Sequence, residues 1–206
     1  SHDLTGLHSL WSGDGTAVAR IGANLSGPPR FAPGVSGQSF DFVATEPLGA
    51  DQAPAVSGAV SVELWVRAGP AQVGVVQSLV SRWSGVGMSS ATDSSHSFNL
   101  ELHPFSELVF EIDDSSSRVP DQLQAAAPQL SDGQFHHVVA TWRPGQMQIF
   151  VDGAMIAAKQ TARGVLHAAE SVPTRVGGPW PFRGQIDEPA VWGRTLSVSE
   201  IITMAT

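Results

Sequence analysis

The chain has 206 residues, of which 42% are hydrophobic and 15% charged, so it is expected to fold as a globular domain and not as a disordered segment. Its formal net charge of -8 argues against nucleic acid or an anionic membrane surface as a partner. No apolar run approaches the roughly 20 residues that span a bilayer, and the lack of cysteine excludes disulfides, thiol catalysis and thiolate metal ligands.

The first half of the chain consists of short apolar runs separated by turn-forming residues. Leu7–Trp11 is predicted as the first strand. Val60–Arg67 places an apolar side chain at every second position, which is the period of a half-buried strand. Ser97–His103 and Glu107–Asp113 predict a hairpin that turns across Pro104-Phe105-Ser106.

The clearest strand pattern lies at Phe135–Gly153, FHHVVATWRPGQMQIFVDG. Two alternating runs flank a Pro-Gly turn and predict one β-hairpin. Gly184–Trp192 is predicted as the last strand, and Ser197–Met204 as a short terminal helix. Ser197 is its expected N-cap, with Glu200 at the capping-box position. Many short strands, one helix and no alternation of strands with helices predict an all-β fold.

Four blocks of the sequence resemble bacterial laminin-G-like domains. Phe135–Gly153 resembles their W-H-H-V-A…L-Y-V-D-G hairpin, with Phe135 in place of the usual Trp. Arg183–Ile201 resembles their closing F-x-G-x-I-D-E-V-x-I-Y-x-R-x-L-S-x-x-E-I. Pro33–Phe42 and Ala59–Arg67 resemble P-G-x-x-G-x-A-x-x-F-D-G and S-F-T-I-S-A-W-V-R. The blocks occur in the family's order and cover nearly the whole chain.

The resemblance implies a concanavalin A-like jelly-roll β-sandwich of two antiparallel sheets, related to pentraxins, with a short C-terminal helix. We expect a single domain over residues 1–206, excised or matured from a larger multidomain chain. The implied role is a non-catalytic recognition module, carbohydrate-binding, in a secreted or cell-surface bacterial protein. The alternatives are a protein-protein adhesion or spacer module and a glycoside hydrolase of the same fold.

One structural calcium ion is also implied. Related jelly rolls hold such an ion near the Asp of the I-D-E block, which is Asp187 here, and Asp14 is the predicted loop contributor. The alternative is that Asp187 caps backbone amides at a tight corner. A pentraxin-type site, in which calcium bridges to the ligand, is not expected because Val176–Phe182 contains no carboxylate.

Two surfaces are candidates for holding a glycan. Trp180 and Phe182 lie between prolines, where exposed rings would stack on a sugar; the alternative is that one of them plugs the sandwich edge. The second surface is the polar face of the central strands, and its predicted ligand contacts are Trp65, Glu101, His103 and Glu111. The alternative for this face is a solvated surface with cross-strand ion pairs.

The sequence offers no complete catalytic set. Glu111 and Asp113 share a strand face, in a pattern that resembles the E-x-D-x-x-E strand of jelly-roll β-glucanases. Retaining hydrolysis needs a second carboxylate about 5–5.5 Å away, and the position three after Asp113 is Ser116. His136 and His137 are adjacent on a strand and point to opposite sides, so we expect packing and hydrogen bonding instead of chelation.

Overall fold

A computed structural model describes residues 3–43, 46–69, 75–85, 96–114 and 119–206. Ser116 lies outside these ranges. Across them the chain forms fourteen strands, two short 3-10 helices and one α-helix. The elements are β1 Leu7–Leu10, β2 Phe31–Pro33, β3 Gln38–Asp41, β4 Leu48–Ala50, β5 Val60–Ala68, β6 Gln77–Trp83, β7 His96–His103, β8 Glu107–Ile112, β9 Asp121–Ala126, β10 His136–Arg143, β11 Gln146–Val151, β12 Ala154–Gln160, β13 Thr174–Val176, β14 Gly184–Trp192 and α1 Val198–Met204.

Two antiparallel sheets face each other across one main core. The eight-stranded sheet has the order β12-β11-β10-β5-β14-β3-β2, with β1 also paired to β14. The six-stranded sheet has the order β4-β13-β6-β7-β8-β9. Leu64 and Trp142 from the first sheet meet Leu100 and Phe110 from the second, and all four are fully buried. The predicted all-β jelly roll with a short C-terminal helix is confirmed.

The hairpin predicted at 135–153 is formed by β10 and β11. Val138 pairs with Val151 and Trp142 with Met147, and the other edge of β10 pairs with β5. The alternating pattern of β10 therefore sends Val138, Ala140 and Trp142 into the core and Val139 and Thr141 to the outer face. A slip of one residue would reverse this arrangement, so the pattern itself fixes the register.

The terminal helix begins with the predicted capping box. The Ser197 hydroxyl accepts from the Glu200 amide at 3.3 Å, and Glu200 Oε2 accepts from the Ser197 amide at 2.7 Å. Arg194 donates to the Glu200 carboxylate at 2.7 Å, and the Ser197 hydroxyl donates to it at 2.8 Å. These two bonds, with the one from the Ser197 amide, lower the pKa of Glu200 to about 2. Through Ile201, α1 packs against Phe150 and Trp192 on the outer face of the eight-stranded sheet. Among the residues that the structure describes, no helix is both long enough and apolar enough to cross a membrane.

The edges of the two sheets are joined on one side. Strand β12 ends the eight-stranded sheet and β9 ends the six-stranded sheet. Lys159 of β12 forms an ion pair with Asp121 and donates to the Gln122 carbonyl at 2.9 Å, both on β9. Thr161 donates to the same Asp121 carboxylate. We refer to this junction as the β9–β12 seam.

Candidate functional site

The outer face of the six-stranded sheet carries a cluster of polar side chains. Along β7, Asn99, Glu101 and His103 alternate with core residues, so they point away from the core. Glu111 of β8 lies opposite Asn99, and Gln122 of β9 lies opposite Glu111. The structure therefore brings Glu101, His103 and Glu111 together on one face.

Trp65 does not belong to this surface. It lies on β5, where its register partners are His137 of β10 and Asp187 of β14 in the eight-stranded sheet. Its side chain emerges on the far side of the sandwich from Glu101. The prediction that Trp65 shares a face with Glu101, His103 and Glu111 is wrong, because alternation within a strand cannot show which sheet the strand joins.

Hydrogen bonds connect the polar cluster. Asn99 Nδ2 donates to Glu101 Oε1 at 2.5 Å, and His103 Nε2 lies 2.6 Å from Glu101 Oε2. Gln122 donates to Glu111. Glu101 and Glu111 are only 3% and 7% exposed. These two carboxylates are therefore placed to orient His103 and Gln122, and little of their own surface is open to a ligand.

Burial and charge shift two protonation equilibria in this cluster. The hydrogen bond that His103 donates to the Glu101 carboxylate raises the pKa of His103 above its ordinary value, despite partial burial. Burial, followed by the negative charge of Glu101, raises the pKa of Glu111 to about 7. Glu111 is thus partly protonated near neutral pH, and His103 keeps its charged form to a higher pH than an isolated imidazole does.

A groove of about 350 Å³ opens at the adjoining end of the sandwich, at the turn between β7 and β8. His103 connects the groove to the polar cluster, since it lines the groove and is bonded to Glu101. Phe105 stands at the turn with 89% of its surface exposed and φ at +63°. A left-handed backbone conformation is uncommon for a residue with a bulky side chain. Ser106 and Asp132 add polar groups to the groove lining.

Phe105 was not predicted as a site residue. The signal in the sequence was its position: a Pro-Phe-Ser turn between two strands leaves an aromatic side chain with no neighbouring strand to cover it. Sequence reasoning treated the three residues only as a connection, and so assigned the aromatic contacts elsewhere.

The loop that carries Trp180 and Phe182 places their side chains in different environments. Phe182 is fully buried and packs edge-on against Phe42, with ring centroids 6.2 Å apart. The prediction that Phe182 is an exposed ligand contact is wrong; it plugs the core, as the alternative had it. Trp180 is half-buried, and its carbonyl accepts from the Ser78 amide at 2.9 Å. The residues that line the groove at the β7–β8 turn do not include Trp180, so the structure does not bring its ring together with His103 and Phe105.

Asp187 is directed at backbone amides. Its Oδ2 accepts from the amides of Val35 and Ser36 at 2.7 and 3.3 Å, and its Oδ1 accepts from Glu188 at 3.0 Å. The side chain is fully buried, and burial raises its pKa despite these bonds. This geometry resembles the amide-capping alternative.

Asp14 has similar partners. Its Oδ1 accepts from the Gln38 amide at 3.1 Å, and its Oδ2 pairs with Arg20 at 2.8 Å. In the described ranges, no group of three or more histidine or acidic side chains converges as a metal site. A calcium ion at Asp187 and Asp14 would have to replace N–H donors, so the residues as arranged do not fit it. The structural calcium ion stays a prediction.

The two adjacent histidines bond to different partners. His137 is buried, with Nε2 3.1 Å from Glu63 Oε1. His136 lies 2.8 Å from Asp152 and 3.1 Å from Asp132. The pair does not converge on one point, in keeping with the expectation of packing and hydrogen bonding.

Residues 41–202, more than half of the chain, match a family model of laminin G type that is described as the concanavalin A-like lectin/glucanases superfamily. The chain belongs to this family. Comparison of this laminin-G-type domain with the curated proteins gives no match.

Solved structures share the fold of the laminin-G-type domain. Domain 4 of an extracellular arabinanase from Geobacillus stearothermophilus, in complex with arabinotriose, has a TM-score of 0.68 at 16% identity, over 97% of this chain and 98% of that chain. The binding domain of Paraclostridial Mosquitocidal Protein 1 has a TM-score of 0.70 at 14% identity, over 98% of this chain and 52% of that chain. A structure of botulinum neurotoxin type C, whose cell entry depends on two ganglioside molecules, has a TM-score of 0.71 at 13% identity. The match covers 98% of this chain and 51% of that chain. The chain thus spans about half of each toxin chain, and at these identities the likeness shows the fold alone.

Proposed function

We propose that this chain is a non-catalytic carbohydrate-binding module of an extracellular or cell-surface protein, and that it holds its glycan in the groove at the β7–β8 turn. The observation that carries the proposal is Phe105, an aromatic ring that is 89% exposed at the mouth of a 350 Å³ groove. That volume lies within the range of about 300–1,000 Å³ that is common for small-molecule sites.

The groove offers the two kinds of contact that a sugar needs. The ring of Phe105 suits the apolar face of a pyranose or furanose. His103, Ser106 and Asp132 supply donors and acceptors for hydroxyl groups. Glu101 orients His103 from within the sheet, so this donor is fixed before a ligand arrives.

The comparisons support this ligand class and this setting. One structural neighbour is domain 4 of an extracellular arabinanase in complex with arabinotriose, and another belongs to a toxin whose cell entry depends on gangliosides. A related toxin binding domain was solved with rat synaptotagmin II, which supports the protein-adhesion alternative. In each case the matching region belongs to a larger protein, as we propose for this chain.

One observation favours a hydrolase as a second candidate. Glu111 and Glu101 share one face on neighbouring strands, and the charge of Glu101 helps to raise the pKa of Glu111 to about 7. A carboxyl group whose pKa is raised in this way is typical of the general acid of a glycoside hydrolase. Against this reading, both are almost fully buried and already bonded to neighbouring side chains.

The two functions are separated by one panel of oligosaccharides that includes arabinan fragments and ganglioside head groups. We expect saturable binding without release of reducing sugar. Phe105→Ala should weaken binding roughly three- to tenfold, from the loss of about 0.5–1.5 kcal/mol of stacking. Val165→Ala, which also removes an exposed apolar side chain, is the matched control. The absence of any binder, or equal affinity of the Phe105 variant, would overturn the proposal. Sugar release abolished by Glu111→Gln would establish the hydrolase instead.

A further inference from the structure

A second groove, of about 310 Å³, lies on the outer face of the eight-stranded sheet, on the opposite side of the sandwich from the polar cluster. It runs between β1, β5, β14 and the last turn of α1. Its walls are mainly apolar, and its described lining includes Leu7, Leu10, Trp65, Ala190, Trp192 and Met204. Two acidic side chains, Glu63 and Glu188, also line it. We call this site the tryptophan groove.

A β-bulge places Glu188 at the groove. Asp187 pairs with Trp65 and Ala190 pairs with Glu63, so β14 has one residue more than β5 between these pairs. Without that extra residue, the alternation of β14 would send Glu188 toward the core. Glu188 instead adopts a φ of +47°, which is an uncommon backbone conformation for a residue with a side chain. Such outliers persist where the surroundings enforce them, and they cluster at ligand sites.

The two carboxylates differ in their partners. Glu63 is held by Trp192 Nε1 at 2.9 Å and lies 3.1 Å from His137 Nε2. Glu188 makes no side-chain hydrogen bond or ion pair with any residue in the described ranges. Burial raises the pKa of Glu188, and the negative charge of Asp187 is among the further causes.

Nearby positive charges are already engaged. Arg20 acts on Glu188 electrostatically but forms its ion pair with Asp14 at 2.8 Å. Arg194 lies 5.0 Å from the Trp192 ring but pairs with Glu200 at 2.7 Å. The groove therefore joins an aromatic and apolar wall to a carboxylate that forms no direct ion pair within the described part of the chain.

We propose that the tryptophan groove binds an alkylated ammonium ion, with the alkyl groups against Trp65 and the apolar wall of Leu7, Leu10 and Met204, and the positive charge beside Glu188 and Glu63. Aromatic faces attract cations, most strongly when the cation is poorly hydrated, as a quaternary ammonium is. A neutral ligand of the same shape would leave Glu188 uncompensated, and an anion would be repelled. This site is independent of the glycan groove, since the two share no lining residue.

Choline and its uncharged isostere 3,3-dimethyl-1-butanol test the charge requirement directly. Each is titrated into the full chain while tryptophan fluorescence and the heat of binding are recorded. We expect choline to bind saturably and to bind at least about tenfold more tightly than the alcohol. Equal affinity for the two compounds, or no saturable binding of choline, would overturn the proposal.

Two variants locate the site. Glu188→Gln preserves shape and removes the charge, and should weaken choline binding about tenfold. Glu170→Gln removes one exposed carboxylate elsewhere and should have no effect. Trp65→Phe serves as a second variant that keeps an aromatic ring, and should weaken binding by a smaller factor. Unchanged affinity in Glu188→Gln, with an unchanged melting temperature, would refute the assignment. Phe105→Ala should leave choline binding intact, so failure of the glycan proposal and failure of this one are distinguishable.

Discussion

Glu111 should make the stability of this domain depend on pH in a defined direction. The residue is 7% exposed and lies on the outer face of the six-stranded sheet, beside Glu101. The perturbation that isolates its contribution is Glu111→Gln, which has nearly the same shape and can still accept the hydrogen bond from Gln122. The variant is neutral at every pH, whereas the native side chain is not.

The sign and size follow from linkage. Burial raises the pKa of Glu111 from 4.5 to about 7, so between these values the folded protein retains a proton that the unfolded chain releases. The free energy of unfolding therefore falls as the pH rises through this interval. Each pKa unit between the unfolded and the folded value corresponds to about 1.36 kcal/mol. The free energy of unfolding that is lost above pH 7 is therefore about 3 kcal/mol. Below pH 4.5 both states are protonated and the loss disappears.

Urea unfolding of the native protein and of Glu111→Gln between pH 4 and 8, followed by tryptophan fluorescence, measures this term. We expect similar stability at pH 4 and a variant that is more stable by about 2–3 kcal/mol at pH 8. Glu170→Gln, at an exposed position, controls for the loss of one negative charge. A difference that is constant across the pH range, or a native protein that is the more stable one at pH 8, would refute the reasoning.

Two further predictions concern Asp187 and the terminal helix. A calcium ion present at about 100 times its dissociation constant would raise the free energy of unfolding by about 2.7 kcal/mol. Because backbone amides already occupy the Asp187 carboxylate, we expect EDTA to leave the melting temperature unchanged. A calcium-dependent rise of several degrees that is lost in Asp187→Asn would instead establish the ion. Ser197→Ala removes one half of the capping box and should lower the free energy of unfolding by about 1 kcal/mol; Ser199→Ala, in the first turn, is the comparison, and equal loss in both variants would count against the cap.

Local patterns predicted most of the fold. The alternation in 135–153 led directly to β10 and β11, and the last strand and the helix cap were found at their predicted positions. These features depend on neighbouring residues, whose spacing can be read along the chain. The order of the strands in each sheet depends on distant pairings, and for this the resemblance to laminin-G-like domains supplied the expectation.

The site was harder to predict because exposure is a property of the assembled sheets. Trp65 and Glu101 both alternate with core residues, yet they emerge on opposite sides of the sandwich. Phe182 looked exposed because glycine and proline surround it, but it fills the core beside Phe42. Phe105 looked like an ordinary turn residue and is the most exposed of the large apolar side chains described. None of these three outcomes can be read from the spacing of residues along the chain.

The β9–β12 seam has a practical consequence for handling the protein. Its lysine is the single one in the sequence, so reagents that acylate side-chain amines are directed to this junction and away from both grooves. Attachment of a dye or a solid support there would neutralise the cation that bridges the sheets. Exposed edge strands present unpaired backbone N–H and C=O groups, which can pair with an edge strand of another copy of the protein. A preparation coupled through its side-chain amine should therefore tend to self-associate, whereas coupling through an engineered cysteine on a distant loop would not.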